Sequence, residues 1–234
     1  MQSIFKFKQF EIDQTGCAMK VNTDGVLLAA LAECENCENI LDIGTGTGVI
    51  ALMLAQRFGN ANIHAVEIDS VASATAEKNF ENSVFKKRLM LSNTPIEHYT
   101  TTQQFDLIIS NPPYFVNDLR NAEEKKGIAR HANDEFFSNL LVKVDELLAP
   151  NGSFWFILPV KQAELLNEEA KQYALYVSKL ILLHSDQSKL PFRWIICLNR
   201  FNTEADIEHF YIYEEEKVYT KRYKALLKDF FLGY

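Results

Sequence analysis

Ile40-Leu41-Asp42-Ile43-Gly44-Thr45-Gly46-Thr47-Gly48-Val49-Ile50 decides the fold of this chain. A short apolar run that reads as a buried strand passes through alternate glycines. Val49, Ile50, Leu52, Met53 and Leu54 then recur at helical spacing as far as Arg57-Phe58-Gly59. Glycines at 44, 46 and 48 let the backbone turn tightly and approach a ligand with no Cβ in the way. Such a loop suits either a dinucleotide or an adenosyl group. The dinucleotide fingerprint needs glycine at the last position of G-x-G-x-x-G, where this chain has Val49. Asp42 precedes the first glycine by one residue, Ile43, and there its carboxylate opposes a pyrophosphate and favours an ammonium group. S-adenosyl-L-methionine carries an ammonium and no phosphate, so the loop is expected to take that cofactor.

Outward from the loop, strand and helix alternate without a low-complexity linker or internal repeat. Residues 63–68, 89–91, 105–110 and 153–158 read as further buried strands, and 71–79, 134–148 and 161–173 as helices. Pro150-Asn151-Gly152 reads as a breaker, 5–12 as an opening hairpin, and 177–184 with 194–201 as paired strands at the far edge. This alternation predicts an α/β fold with a mostly parallel sheet, helices on both faces and ligands at the carboxyl ends of the strands.

Two further features fall at such ends. Glu67 closes the second strand, where a carboxylate can accept both hydroxyls of a ribose, and Asp69 reads as the N-cap of the next helix. Asn111-Pro112-Pro113-Tyr114 follows the apolar run Phe105-Asp106-Leu107-Ile108-Ile109. Two prolines cannot continue a ladder and stiffen an extended turn. The turn holds carbonyls, the Asn111 amide and the Tyr114 ring in one arrangement. That set suits a flat molecule bearing an exocyclic amine, whose N–H hydrogens need acceptors and whose ring needs a stacking partner.

With 234 residues, 47% hydrophobic and 24% charged, the chain fits one large soluble domain, 1–234. No targeting segment or membrane span is legible, so a cytoplasmic location is expected. Cys17, Cys34, Cys37 and Cys197 make neither a disulfide framework nor a zinc site, and Cys34-x-x-Cys37 is expected to be ordinary reduced thiols. No metal is expected. The net charge of −7 argues against a broad nucleic-acid surface, while Lys86-Lys87-Arg88 and Lys125-Lys126 with Arg130-His131 offer local basic patches.

The glycine loop, Ala65-Val66-Glu67-Ile68-Asp69 and Asn111-Pro112-Pro113-Tyr114 together resemble the class I, Rossmann-like, S-adenosylmethionine-dependent methyltransferases that act on a planar amide or aromatic amine nitrogen. Phe7-Lys8-Gln9-Phe10, the segment Cys17-Ala18-Met19-Lys20-Val21-Asn22-Thr23-Asp24-Gly25-Val26-Leu27-Leu28, Ala129-Arg130-His131, Tyr219-Thr220 and residues 223–230 narrow the likeness. Together they are similar to the bacterial adenine-N6 methyltransferases that modify valine transfer RNA beside its anticodon, over nearly the whole chain. The resemblance implies a seven-stranded sheet with an antiparallel edge strand. It also implies that 1–38 form a hairpin and helix cap over the cofactor, and that 39–234 form a catalytic core with a C-terminal helix. Relatives commonly carry an acidic residue after the third strand, near the cofactor's adenine amine; this chain has Ser92-Asn93-Thr94-Pro95, with Asn93 as the acceptor. Lys20, Thr23 and Asp24 are placed over the methionine end, where Lys20 either pairs with the carboxylate or is an ordinary exposed lysine.

The expected cofactor site is therefore Lys20, Thr23, Asp42, Gly44, Gly46, Gly48, Glu67 and Asn93. Catalysis falls to Asn111, Pro112 and Tyr114, and substrate contact to Pro113, Phe115, Arg130 and His131. Residues 120–131 either meet RNA or form a disordered loop. The expected partner is the anticodon stem-loop of tRNA, bound by a monomer. The rival readings are a protein glutamine N5-methyltransferase acting on release factors, which uses the same tetrapeptide, or another RNA or DNA amino-methyltransferase; the glutamine enzymes that resemble this chain usually carry a separate N-terminal helical domain, for which 1–38 are too few.

Overall fold

The computed structural model describes residues 3–17, 19–113 and 124–233, the side chains of 124–135 excepted. An opening hairpin pairs β1 (Ile4–Lys6) with β2 (Glu11–Asp13). Then follow α1 (Thr23–Leu31), β3 (Asn39–Ile43), α2 (Val49–Arg57), β4 (Asn62–Glu67), α3 (Ser70–Glu81), β5 (Leu89–Asn93) and β6 (Phe105–Ser110). The second half holds α4 (Glu124–Leu147), β7 (Leu148–Leu158), α5 (Val160–Ala170), β8 (Tyr176–His184), β9 (Arg193–Asn199) and β10 (Asp206–Tyr211). A small ribbon, β11 (Tyr213–Glu215) with β12 (Val218–Tyr219), leads into α6 (Lys221–Leu227).

The main sheet has the order β10-β8-β9-β7-β6-β3-β4-β5. β3 pairs in parallel with both β4 and β6, so the strand order reverses on either side of it, and the crevice beyond its carboxyl end is the natural ligand site. Among the described residues the sheet has eight strands rather than the expected seven. The extra one, β10, runs parallel to β8 at the edge, and only Phe210 of its residues is buried, so it lacks the apolar run that marks a strand. The antiparallel strand is β9, paired antiparallel with both β7 and β8 and so third from that edge, not at it.

Burial explains the helices. In α2 every residue from Val49 to Ala55 is buried, because α1 covers the face that a surface helix would leave to water. Leu52, Met53 and Leu54 are fully buried, each worth roughly 1.5–3 kcal/mol. In α4, Phe137, Leu140, Leu141, Val144 and Leu147 form one buried helical stripe against the sheet. Arg57 donates to the carbonyls of Ala29 and Ala32 at the end of α1, both at 2.6 Å. Arg88 donates to Ala55, Phe58 and Ala61 at the end of α2, at 2.6, 3.1 and 2.6 Å. Arg88 therefore caps a helix and is withdrawn from the basic patch expected of Lys86-Lys87-Arg88.

Two other expectations change. Pro150-Asn151-Gly152 lies inside β7, where the register with β6 shifts between Phe105 and Leu107. A Cβ on Gly152 would stand 2.7 Å from the Phe105 carbonyl, so the glycine permits a close crossing of two backbones rather than a chain break. Cys34 and Cys37 are joined in a disulfide and are not the reduced thiols expected, because the turn between α1 and β3 brings them together; Cys17 and Cys197 are free.

The hairpin and the C-terminus meet. Phe7 bridges Phe231, Lys8 N donates to the Phe230 carbonyl at 2.8 Å, and Phe7 stacks on Phe10 at 4.5 Å. The two terminal segments that carry the narrower resemblance thus form one cluster. Among the described residues no helix is long and apolar enough to cross a membrane.

Candidate active site

The glycine loop leaves β3 and the tetrapeptide leaves β6 at the same level of the sheet, because Ile43 pairs in register with Ser110. The buried Ser110 hydroxyl donates to the Ile43 carbonyl at 2.9 Å, tying the two strand tips together. Between them opens a cavity of about 400 Å³ whose walls include Gly44, Gly46, Glu67, Asn111, Pro112 and Pro113. The two loops on which the sequence reading rested therefore face one space.

Gly46 has φ +58° and nothing within 4 Å of where its Cβ would stand, so a side chain there is strained and would project into free space. Gly48 differs. It has φ +83°, and its Cβ would lie 2.5 Å from Phe80 of α3; Gly48 does not line the cavity, and its absent side chain makes room for a core aromatic. The loop is braced by Asn79, a buried residue that sequence reading did not single out. Its amide donates to the carbonyls of Thr47 at 2.9 Å and Asp13 at 3.0 Å, fastening the hairpin to the loop.

Glu67 is buried at the end of β4. Its carboxylate accepts the Gly46 amide at 2.8 Å on one oxygen and the Asp69 amide at 2.9 Å on the other, so its orientation is fixed and its remaining lone pairs are available to hydroxyl donors. Asp69 caps α3, accepting from Ala72 N at 2.7 Å, as its sequence position indicated.

Asp42 lies beneath the loop, fully buried and outside the cavity wall. Its Oδ2 accepts the Thr45 hydroxyl at 2.6 Å, while Oδ1 has no hydrogen-bond partner. Burial pushes its pKa up to about 7; the Thr45 hydroxyl opposes that shift, the Glu67 charge adds to it, and the Ala51 amide opposes it more weakly. A carboxylate so placed is stabilised by any cation that enters the cavity.

The remaining predicted residues fall as follows. Asn93 turns its amide onto the carbonyls of Glu67 and Ile68, at 2.8 and 3.3 Å, and is not in the cavity wall. Glu97, in the turn Ile96–His98, does line it, so a carboxylate reaches the cavity just beyond the segment 92–95 where an acidic residue was looked for and not found. Cys17, Met19, Ile68 and Phe136 line it as well; all but Phe136 stand beside motifs already noted. Lys20 is exposed and outside the wall, and Thr23 opens onto a neighbouring cavity. Asp24 pairs with Arg193 at 2.7 Å. Tyr114 and Phe115 lie outside the described residues, as do the side chains of Arg130 and His131, whose backbone belongs to α4. Among the described residues no cluster of His, Cys, Asp or Glu could hold a metal.

An open cradle beside the glycines, a fixed carboxylate on its wall and a buried one below fit an adenosyl group carrying a positive charge. Residues 18–178 match the family described as Methyltransferase small domain. The chain is 54% identical over 234 residues, covering 100% of both sequences, to the tRNA1(Val) (adenine(37)-N6)-methyltransferase of Pedobacter heparinus. Its fold is similar to that of a predicted O-methyltransferase from Agrobacterium tumefaciens, with TM-score 0.66 and 15% identity, covering 88% of this chain and 96% of that one. It is also similar to that of the glycopeptide N-methyltransferase solved with S-adenosyl-L-methionine, with TM-score 0.57 and 10% identity, covering 77% and 88%. This chain belongs to the Methyltransferase small domain family and, within it, to the tRNA1(Val) (adenine(37)-N6)-methyltransferases.

Proposed function

We propose that this enzyme transfers a methyl group from S-adenosyl-L-methionine to the N6 amine of adenine 37 in tRNA1(Val), beside the anticodon, the nucleotide named for its relatives. The observation that carries this reading is the shared cavity between the glycine loop and Asn111-Pro112-Pro113. We read residues 1–234 as one methyltransferase domain in which 1–38 cap the cofactor, acting as a monomer in the cytoplasm. The glutamine amide alternative is not favoured, since the full-length relative acts on tRNA by its name.

S-adenosyl-L-methionine, when bound, supplies an electrophilic methyl group on a cationic sulfur. Glu67 accepts its ribose hydroxyls, Glu97 its adenine amine, and Asp42, through the loop, favours its positive end over any phosphate. The N6 lone pair of the target adenine is delocalised into the ring and is a poor nucleophile. The Asn111 side-chain oxygen and the Pro112 carbonyl accept the two N6 hydrogens, drawing the nitrogen toward tetrahedral geometry and stabilising the charge it gains. Tyr114 stacks on the base, worth roughly 1–3 kcal/mol. Holding nitrogen and methyl aligned supplies up to about 7–11 kcal/mol of the barrier reduction. The nitrogen loses its proton readily once cationic, so no strong base is required. Pro113, Phe115, Arg130 and His131 meet the surrounding RNA, where a loop nucleotide is extruded at small cost.

The test is to incubate the protein with labelled cofactor and unmodified total tRNA and to identify the product nucleoside by mass spectrometry. N6-methyladenosine in valine tRNA is expected; label confined to protein overturns the reading.

A further inference from the structure

A second cavity of about 410 Å³ opens at the first turn of α1, lined by Asn22, Thr23, Ser185, Phe192, Arg193 and Tyr213. Asn111, which lines the active-site cavity, and Asn22, which lines the second, come close to each other: Asn111 Nδ2 and Asn22 Oδ1 both lie 3.6 Å from the point a Cβ on Gly25 would occupy. Asn22 is held there as the N-cap of α1, accepting the Gly25 amide at 2.9 Å.

The second cavity sets an aromatic ring and a charge-paired arginine among small polar groups. Phe192 is 38% exposed, with its amide anchored to the Leu183 carbonyl at 2.9 Å, so an apolar ring is presented to solvent on a fixed backbone. The Arg193 guanidinium lies 5.4 Å from the centre of that ring. Its charge is matched by Asp24, which accepts from Nε at 2.7 Å with both side chains mostly buried, so the pair gives the cavity no net charge. A phosphate gains little from such a wall; a neutral, flat heterocycle gains the exposed face of Phe192 to stack on. Tyr213 is rigid for the same purpose, stacked on Tyr219 at 5.0 Å, which stacks on Tyr223 of α6 at 4.5 Å. Asn22, Thr23 and Ser185 supply polar groups that can read a base edge.

We infer that this cavity receives the nucleobase adjacent in the strand to the methylated adenine, stacking it on Phe192 while the target base enters beside Asn111. The inference rests on the RNA reading above. Splaying two successive bases, one beside Asn111 and the next into the cavity that Asn22 lines, fixes the strand register, which the tetrapeptide alone cannot do because it grips only the amine-bearing base.

The test uses the full-length protein, a synthetic anticodon stem-loop, and versions of that RNA abasic at the position before or after the target. Phe192→Ala is expected to raise KM for the intact RNA roughly tenfold, the size of one stacking contact. Phe192→Tyr is expected to restore it, with cofactor affinity by calorimetry unchanged in both. One abasic RNA should show the same loss with the wild type and no further loss with Phe192→Ala. Unchanged KM in Phe192→Ala, or losses that multiply for both abasic RNAs, overturns the base pocket while leaving methyl transfer standing. Weakened cofactor binding in Phe192→Ala assigns the cavity to the cofactor instead. Absence of methyl transfer by the wild type on the intact RNA overturns both readings.

Discussion

Ser110 and Ile43 sit opposite each other on adjacent parallel strands, and the Ser110 hydroxyl donates to the Ile43 carbonyl at 2.9 Å. That bond joins the last residue before the glycine loop to the last residue before Asn111, and adds a side-chain tie to the parallel β3–β6 ladder that holds the two loops side by side. Ser110→Ala leaves a buried carbonyl with one partner fewer, and a stability loss of about 1 kcal/mol is expected by denaturant titration. The loss of kcat should exceed the loss of cofactor affinity, because the alignment of the two loops is what relaxes. Equal losses in both would place the bond in general packing.

Asn111→Ala should abolish methyl transfer while cofactor affinity, measured by calorimetry, stays nearly unchanged. The side chain is half-buried beside Gly25 and belongs to the turn proposed to hold the substrate amine. Loss of cofactor binding would move Asn111 from the amine to the donor.

Glu67→Ala removes an acceptor held by the Gly46 and Asp69 amides. Hydrogen bonds to a charged group are worth roughly 1.5–3 kcal/mol, so cofactor affinity should fall about 10- to 100-fold. An unaltered Kd takes Glu67 out of the ribose site.

How much of this was legible differs between elements for physical reasons. The β3–α2 turn and the Asn111 turn could be read because glycine and proline restrict or free the backbone locally, wherever the rest of the chain lies. Their convergence follows from the strand-helix alternation, which places both at the carboxyl ends of parallel strands. β10 was illegible because an edge strand with only Phe210 buried has no periodicity to show. Glu97 was not singled out because the turn that carries it to the cavity wall, Ile96–His98, follows the segment 92–95 in which an acidic residue was expected. Gly48 looked like its neighbours in sequence; only the tertiary position of Phe80 distinguishes it.

Asp42 predicts a pH dependence of stability. Its pKa is raised from 3.8 to about 7 by burial, so the folded state holds this proton where the unfolded chain has lost it. Between those values the native state binds more protons, and stability from this group falls as pH rises, reaching its full loss above about pH 7. Asp42→Asn should therefore raise the melting temperature relative to wild type more at pH 8 than at pH 4. An equal difference at both pH values would mean that Asp42 ionises freely in the fold.

Gly46→Ala and Gly48→Ala separate ligand approach from core packing. Both positions have positive φ, +58° and +83°, and alanine there costs roughly 1–2 kcal/mol of backbone strain. At Gly46 nothing else is lost in the free protein, since no atom lies within 4 Å of the new Cβ, so the variant should fold with a modestly lowered melting temperature and bind cofactor poorly. At Gly48 the new Cβ meets Phe80 at 2.5 Å, and overpacking adds about 1–3 kcal/mol. Gly48→Ala should thus be the less stable of the two. Phe80→Leu in that background should recover part of the stability by vacating the contested space, and it should recover none in Gly46→Ala. Melting curves with and without S-adenosylhomocysteine decide the matter: a ligand-induced shift that survives in Gly48→Ala and vanishes in Gly46→Ala assigns one glycine to the cradle and the other to the core.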